Sequence, residues 1–375
     1  MTSDNRQSAI DESTILRRPA RRDVGRSTDI DATCLSAFPS PAKPKPEPAL
    51  SHSAPADRQS DNAIAGFRDT FNAIVSNMAQ VVVDSPDPIR LCVTAMIVGG
   101  HVLLEDNPGT GKTQLARALA QSIDASFKRI QFTPDLLPSD VVGITFYDQR
   151  SGEFTFRPGP VFASIVLADE INRASPKTQS ALLEVMEEQH VTVDGVEHAV
   201  PQPFTVIATQ NPVEQAGTYA LPEAQMDRFL IATPIGYPSR NQSISILREA
   251  NVNDRASAIG SVASGRDVLD MRGIAESVHI SDSIYEYIMR IVEQTRASEF
   301  VNVGVSMRGA LALTRCTQVW AAADSRTYVI PDDVKALAVP VLAHRLMLTP
   351  DAMFAGRTQR DVMASILADV PVPGA

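Results

Sequence analysis

The sequence predicts an α/β protein: a parallel sheet covered by helices on both sides, preceded by a coreless tail and followed by an all-helical segment. Three observations predict this. Short apolar runs at 102–104, 127–132, 164–168, 204–209 and 229–235 are separated by helical or loop material, the pattern of strands buried in a parallel sheet. The first of these runs passes straight into a glycine turn and then a helix. After Ser239 the apolar residues recur only at helical spacing. With 375 residues, 44% of them hydrophobic, the chain can build such a core and is long enough for two or three domains.

Taken in order, residues 1–60 contain seven prolines and a single aromatic, Phe38, and bury too little apolar surface to offset the entropy of ordering. They are expected to be disordered. Pro39 to Pro48 reads as an extended polyproline segment, either a spacer or a docking strip. From Ala63, Ile64, Phe67, Phe71, Ile74, Val75 and Met78 fall on one helical face, and a second helix is expected over Ile89–Val98. A nucleotide-binding α/β domain is expected over 61–237 and a C-terminal helical domain over 238–375. In the latter, Ile284, Tyr287, Ile288, Ile291 and Val292 keep helical spacing, as do Val334, Leu337, Ala338, Val341 and Leu342.

Charge and cysteine content narrow the function. The net charge is −10, and residues 1–60 hold 9 Lys/Arg against 8 Asp/Glu, so the acidic excess belongs to the expected folded body. That argues against general binding to nucleic-acid backbones. Cys34, Cys92 and Cys316 lie far apart, without metal-knuckle spacing, and read as core residues or incidental thiols of a reducing compartment. No apolar run approaches the roughly 20 residues that span a bilayer. The expectation is a cytoplasmic protein.

Residues 101–113 carry the first chemical signal. Val102, Leu103 and Leu104 form a buried strand, Asp106 to Thr113 (Asp-Asn-Pro-Gly-Thr-Gly-Lys-Thr) a glycine-rich turn, and Leu115, Ala116, Leu119, Ala120 and Ile123 a helix. Such a turn aims backbone N–H groups at phosphate, Lys112 reaches the β- and γ-phosphates, and the Thr113 hydroxyl can ligate Mg²⁺. Asn107, Pro108, Gly109, Thr110, Gly111, Lys112, Thr113 and Gln114 are therefore the candidate nucleotide-binding residues. A second strand, Ile165 to Asp169, ends in two carboxylates: Asp169 can hold Mg²⁺ through its water shell, and Glu170 can polarise the water that attacks the γ-phosphate. A third strand ends at Asn211, which either orients that water or caps the turn before Pro212. Arg228 and Arg308 either neutralise transition-state charge or form surface ion pairs.

These residues and their order resemble the MoxR family of AAA+ ATPases. The resemblance spans about residues 62–350 and is carried by Gly100–Glu105, the phosphate loop, Arg157–Pro160, Val166–Ala174 (Val-Leu-Ala-Asp-Glu-Ile-Asn-Arg-Ala), Ala208–Pro212 and Gly217–Phe229. It implies an AAA+ module with a helical lid. Lys112 and Thr113 become the Walker A pair, Asp169 and Glu170 the Walker B pair, Asn211 sensor 1, Arg228 the arginine finger offered to a neighbouring subunit, and Arg308 sensor 2. It also implies ATP and Mg²⁺ as cofactors, a homo-hexameric ring, and a protein client, with a von Willebrand factor A domain protein as the expected partner.

Two hairpins fit the same branch: Ile144–Tyr147 with Glu153–Phe156, where Ile144, Phe146, Phe154 and Phe156 are expected on one face, and Val191–Val196 around an Asp-Gly turn. Three positions depart from the family pattern. Asp106 replaces the first loop glycine and is expected to repel ATP unless it points away. Val81–Pro88 stands where a Gly-Gln pair approaches the adenine, and Met307 and Gly309 flank Arg308 where Pro and Ala are common. A nucleotide-gated scaffold with little turnover is thus one alternative. A DNA- or RNA-directed motor is another, opposed by the acidic body and the lack of a basic aromatic strip.

Overall fold

The strand that enters the phosphate loop is the fourth of five in a parallel sheet. Residues 55–82, 85–106, 109–210, 219–248 and 255–374 are described by the computed structural model; the expected tail up to residue 54, and Asn107, Pro108 and Asn211 among the candidate residues, lie outside them. The chain runs α1 (Pro55–Ala79), α2 (Pro86–Val98), β1 (Val102–Glu105), α3 (Lys112–Ser122), β2 (Phe127–Gln131), α4 (Pro138–Val142), β3 (Gly143–Asp148), β4 (Glu153–Pro158), β5 (Ile165–Asp169), α5 (Pro176–Glu188), β6 (His190–Val193), β7 (Val196–Ala199), β8 (Thr205–Gln210), α6 (Glu223–Met226) and β9 (Ile231–Thr233). The helical part follows as α7 (Arg240–Arg248), α8 (Gly265–Glu276), α9 (Asp282–Ala297), β10 (Val301–Val303), α10 (Met307–Ala323), α11 (Pro331–Leu342), β11 (Met347–Leu348), α12 (Pro350–Phe354) and α13 (Gln359–Asp369).

The sheet order is β2-β5-β8-β1-β9, with every pairing parallel. Side chains alternate across it. Val102 and Leu104 of β1 join one core while Leu103 joins the other, and Ile165 and Leu167 of β5 face opposite to Val166 and Ala168. Both faces are dry, which is why these strands read as continuous apolar runs.

The first helix begins at Pro55, inside the segment expected to be tail, with proline at a position whose missing N–H costs nothing. Its predicted face is buried through Ile64, Phe67, Phe71, Ile74 and Met78. All described residues belong to one compact unit, Ser53–Ala375. The expected division near residue 237 is bridged by α1 and α2, which pack on α8 and α10, so a single apolar core runs from α1 through the sheet to α9 and α11. Cys92 and Cys316 lie in that core, where burial pushes both thiols up to about 12. No described helix is long and apolar enough to cross a membrane.

Both hairpins form, but the first corrects one expectation. Its register pairs Tyr147 with Phe154 and Thr145 with Phe156, so Phe154 and Phe156 share a face with Tyr147, and Ile144 and Phe146 lie on the other. Opposed residues of an antiparallel pair share a face, and the even, four-residue turn between Asp148 and Glu153 sets even-numbered positions of one strand opposite odd-numbered positions of the other, against the one-face pattern assumed from sequence. Phe156 also stacks on His198 of the second hairpin, ring centroids 4.0 Å apart.

Candidate functional site

The glycines of the phosphate loop are required by backbone conformation. Gly109 has φ +86° and Gly111 φ +90°, and a Cβ built on either meets nothing within 4 Å, so torsion and not crowding excludes other residues. Gly111 caps α3, whose first residue is Lys112, so that the amides of the first turn have no partner within the helix. Lys112 Nζ donates to the Asp106 carbonyl at 2.5 Å. Burial pulls the Lys112 pKa down, and the nearby charges of Asp106, Asp169 and Glu170 oppose that shift.

Asp106 is buried, and its Oδ2 accepts from the Ile235 N–H at 2.9 Å and the Gly236 N–H at 2.8 Å. The carboxylate, expected to repel ATP unless it points away, is thus held by two amides of the 235–236 segment, and it is the backbone carbonyl of Asp106 that Lys112 meets.

At the end of β5, Glu170 turns with φ +57°. Thr209 of β8 fixes the turn: its hydroxyl donates to Asp169 Oδ1 at 2.7 Å and accepts the Glu170 N–H at 2.8 Å. Arg129 of β2 binds Asp169 Oδ2 through Nη2 at 2.6 Å and Nε at 3.1 Å. Gln131 donates to Glu170 Oε2 at 2.7 Å, and Arg173 reaches the same oxygen at 2.9 Å. A cleft of about 310 Å³ is lined by Gly109, Gly111, Lys112, Thr113, Gln114, Arg129, Gln131, Asp169 and Glu170. A second cleft of about 250 Å³ shares Gly109, Gly111 and Gln114 with it and continues past Thr110 to Val81, Val82, Ser85, Gly236 and Pro238.

Arg228 and Arg308 lie elsewhere. Both bind Glu187 of α5, Arg228 Nε to Oε2 and Arg308 Nη1 to Oε1, each at 3.1 Å. They line a third cleft of about 250 Å³ with His101, Asp227, Arg315 and Arg345. Arg345 is buried and fixes the Arg228 segment, donating to the carbonyls of Asp227 at 2.9 Å and Phe229 at 2.7 Å and to the Asp227 carboxylate. Ser306, the N-cap of α10, donates to the other Asp227 oxygen at 3.1 Å.

Comparison with known proteins accords with this arrangement. Residues 101–231 match the model of the ATPase family associated with various cellular activities (AAA), and residues 293–366 match an AAA lid domain. Chaperone MoxR1 of Mycobacterium tuberculosis is 36% identical over 91% of this chain and 93% of its own length, and Protein MoxR of Paracoccus denitrificans is 30% identical over 84% and 100%. The chain belongs to the MoxR family of AAA+ ATPases. The uncharacterised YeaC of Bacillus subtilis is 50% identical over 80% of this chain and 93% of its own. A crystal structure of an inferred ATPase from Cytophaga hutchinsonii superposes with a TM-score of 0.79 at 36% identity, covering 84% of this chain and 99% of that one.

A MoxR-type ATPase binds nucleotide, usually with Mg²⁺, and the residues of the first cleft fit that pair: amides and an ammonium for phosphate, and the Thr113 hydroxyl and Asp169 carboxylate for a hard cation. Sequence reasoning missed Arg129, Gln131, Arg173 and Thr209. A signal for two of them was present, since β2 carries the polar residues Lys128, Arg129 and Gln131 in an otherwise strand-like run. Glu187 and Arg345 gave none.

Two histidines in this region are held as neutral rings, His101 buried and His344 half-buried. His101 Nε2 donates to the Met186 carbonyl at 2.8 Å while Nδ1 accepts the Val206 N–H at 3.0 Å, and burial pulls its pKa down to about 4. His344 contacts the Phe229 carbonyl at 3.0 Å, and burial and the Arg345 charge pull it down to about 3. Because the unfolded chain protonates these rings near 6.5, their stability contribution is complete above that pH and is lost as pH falls toward the folded values. Between pH 7 and 5 the two together should lower stability by about 2–4 kcal/mol. Thermal melts at the two pH values should show the fall, and it should be shallower in His101→Gln; identical melting temperatures at pH 7 and 5 would contradict neutral burial.

Proposed function

We propose that the chain is an ATP-hydrolysing chaperone that acts as a homo-oligomeric ring, a hexamer by family resemblance, and remodels a protein client. In this reading Lys112 and the amides of 109–114 hold the phosphates, and Thr113 and Asp169 hold Mg²⁺. The second cleft, apolar through Val81, Val82 and Pro238, takes the base. Bound Mg²⁺ neutralises charge on the β- and γ-phosphates. Glu170 removes the proton of the attacking water, and Asn211 orients that water.

One observation carries the ring: Arg228 and Arg308 share Glu187 in a cleft with no lining residue in common with the phosphate cleft. Two half-sites on different faces of one subunit are joined when a second copy brings its arginines to the phosphates, a head-to-tail contact that closes a ring. Both arginines then act on the neighbour's nucleotide. Lys112→Ala and Arg228→Ala should each be inactive alone. Mixed at equal amounts and reassembled, they should regain about one quarter of wild-type turnover, because one interface in four pairs an intact loop with an intact finger. A mixture no more active than its components would reject action between subunits.

The chaperone relative from Mycobacterium tuberculosis and the acidic composition support a protein client over nucleic acid. A von Willebrand factor A domain protein is the partner that the resemblance implies. A pull-down with Glu170→Gln protein in ATP should retain that client, and recovery of nucleic acid alone would favour the motor.

A further inference from the structure

Asp106 sits where two parts of the nucleotide site meet. Its carbonyl accepts from Lys112, and its amide donates to the Gln210 carbonyl at 3.4 Å. Its carboxylate reaches 129 residues along the chain to the amides of Ile235 and Gly236. Those two residues follow β9, the neighbour of β1, at the point where the chain leaves the sheet for α7.

The gripped segment is also a wall. Gly236, at φ +81°, and Pro238 line the second cleft together with Val81 and Val82, and Ser85 Oγ is 3.5 Å from the Ile235 carbonyl. Nothing in the 235–238 segment is held by sheet pairing, since β9 ends at Thr233. This wall is held by the two charge-assisted hydrogen bonds that converge on one carboxylate oxygen, beside the Ser85 contact and the buried Ile235 side chain.

We propose that Asp106 is the positioning residue of the base pocket: it fixes the backbone of 235–236, so that Gly236 and Pro238 form a preorganised surface for the purine of a nucleotide. The inference rests on the nucleotide reading of the two clefts. It goes beyond the expectation from sequence, in which this carboxylate repels ATP unless it points away. An aspartate serves here where glycine would have no group to reach the amides.

The test separates base from phosphate. Affinities for ADP and for inorganic tripolyphosphate, both with Mg²⁺, are measured by calorimetry on the full chain. Asp106→Gly should weaken ADP by about tenfold and leave tripolyphosphate within about twofold, because only ADP uses the wall. Asp106→Asn retains an acceptor oxygen and should recover ADP binding to within about threefold of wild type. Gly236→Ala has free space for its Cβ but strains the same backbone, and should reproduce the ADP-selective loss without touching the loop. Unchanged or tighter ADP binding in Asp106→Gly, or equal loss for both ligands in the two disruptive variants, overturns the assignment. Wild-type protein that binds neither ligand would instead remove the nucleotide reading beneath it.

Discussion

Glutamine at position 170 is expected to lower ATP turnover by about 10²–10⁴-fold while leaving the ATP Kd within about threefold. The size follows from the role proposed for Glu170, removal of a proton from the attacking water, which an amide cannot perform. The retention of binding follows from the geometry. The turn at Glu170 is fixed by its own N–H to the Thr209 hydroxyl, which the substitution leaves in place. The side chain meets Gln131 and Arg173, and a glutamine offers one oxygen that can still accept from the Arg173 guanidinium. Turnover and equilibrium binding measured on the same preparation test both halves. Hydrolysis at the wild-type rate would remove Glu170 from its role, and loss of binding would show that its charge supports the site as a whole.

Arg345→Leu is expected to destabilise the protein by about 3–5 kcal/mol, because three backbone carbonyls and the part-exposed Asp227 carboxylate lose a shared donor. Arg345 is nearly inaccessible, its side chain only 3% exposed, and it serves the carbonyls of Val341, Asp227 and Phe229 besides the Asp227 carboxylate. Lysine should not restore stability, because a single ammonium cannot span acceptors that a planar guanidinium reaches together. Denaturant melts would register the loss. Since Asp227 and Phe229 flank Arg228, turnover measured well below the melting transition should also fall, and a variant with wild-type turnover there would show that Arg228 needs no such anchor.

The parts of the site that were legible in the sequence are those made by contiguous residues. A strand, a glycine turn and a lysine announce their geometry locally, and so do two carboxylates at a strand end. What escaped depends on sheet order. Arg129 meets Asp169 only because β2 lies beside β5, and Asp106 meets Gly236 only because β9 lies beside β1. The face assignment of the first hairpin failed on one residue of parity, which hydrophobic pattern alone does not fix when aromatics occupy both faces. The start of the first helix failed for a related reason: composition places a boundary by averages, whereas the helix begins at a single proline.

The contact between Phe156 and His198 joins two separate parts of the chain. The two hairpins leave the chain at different places, one after α4 and the other between α5 and β8, yet the ring stack couples them. A short path leads from there to the chemistry, because the chain runs from Glu170 through α5 directly into β6. Phe156 therefore joins two strand pairs that the chain itself sets far apart, one of them reached from the carboxylate turn through α5.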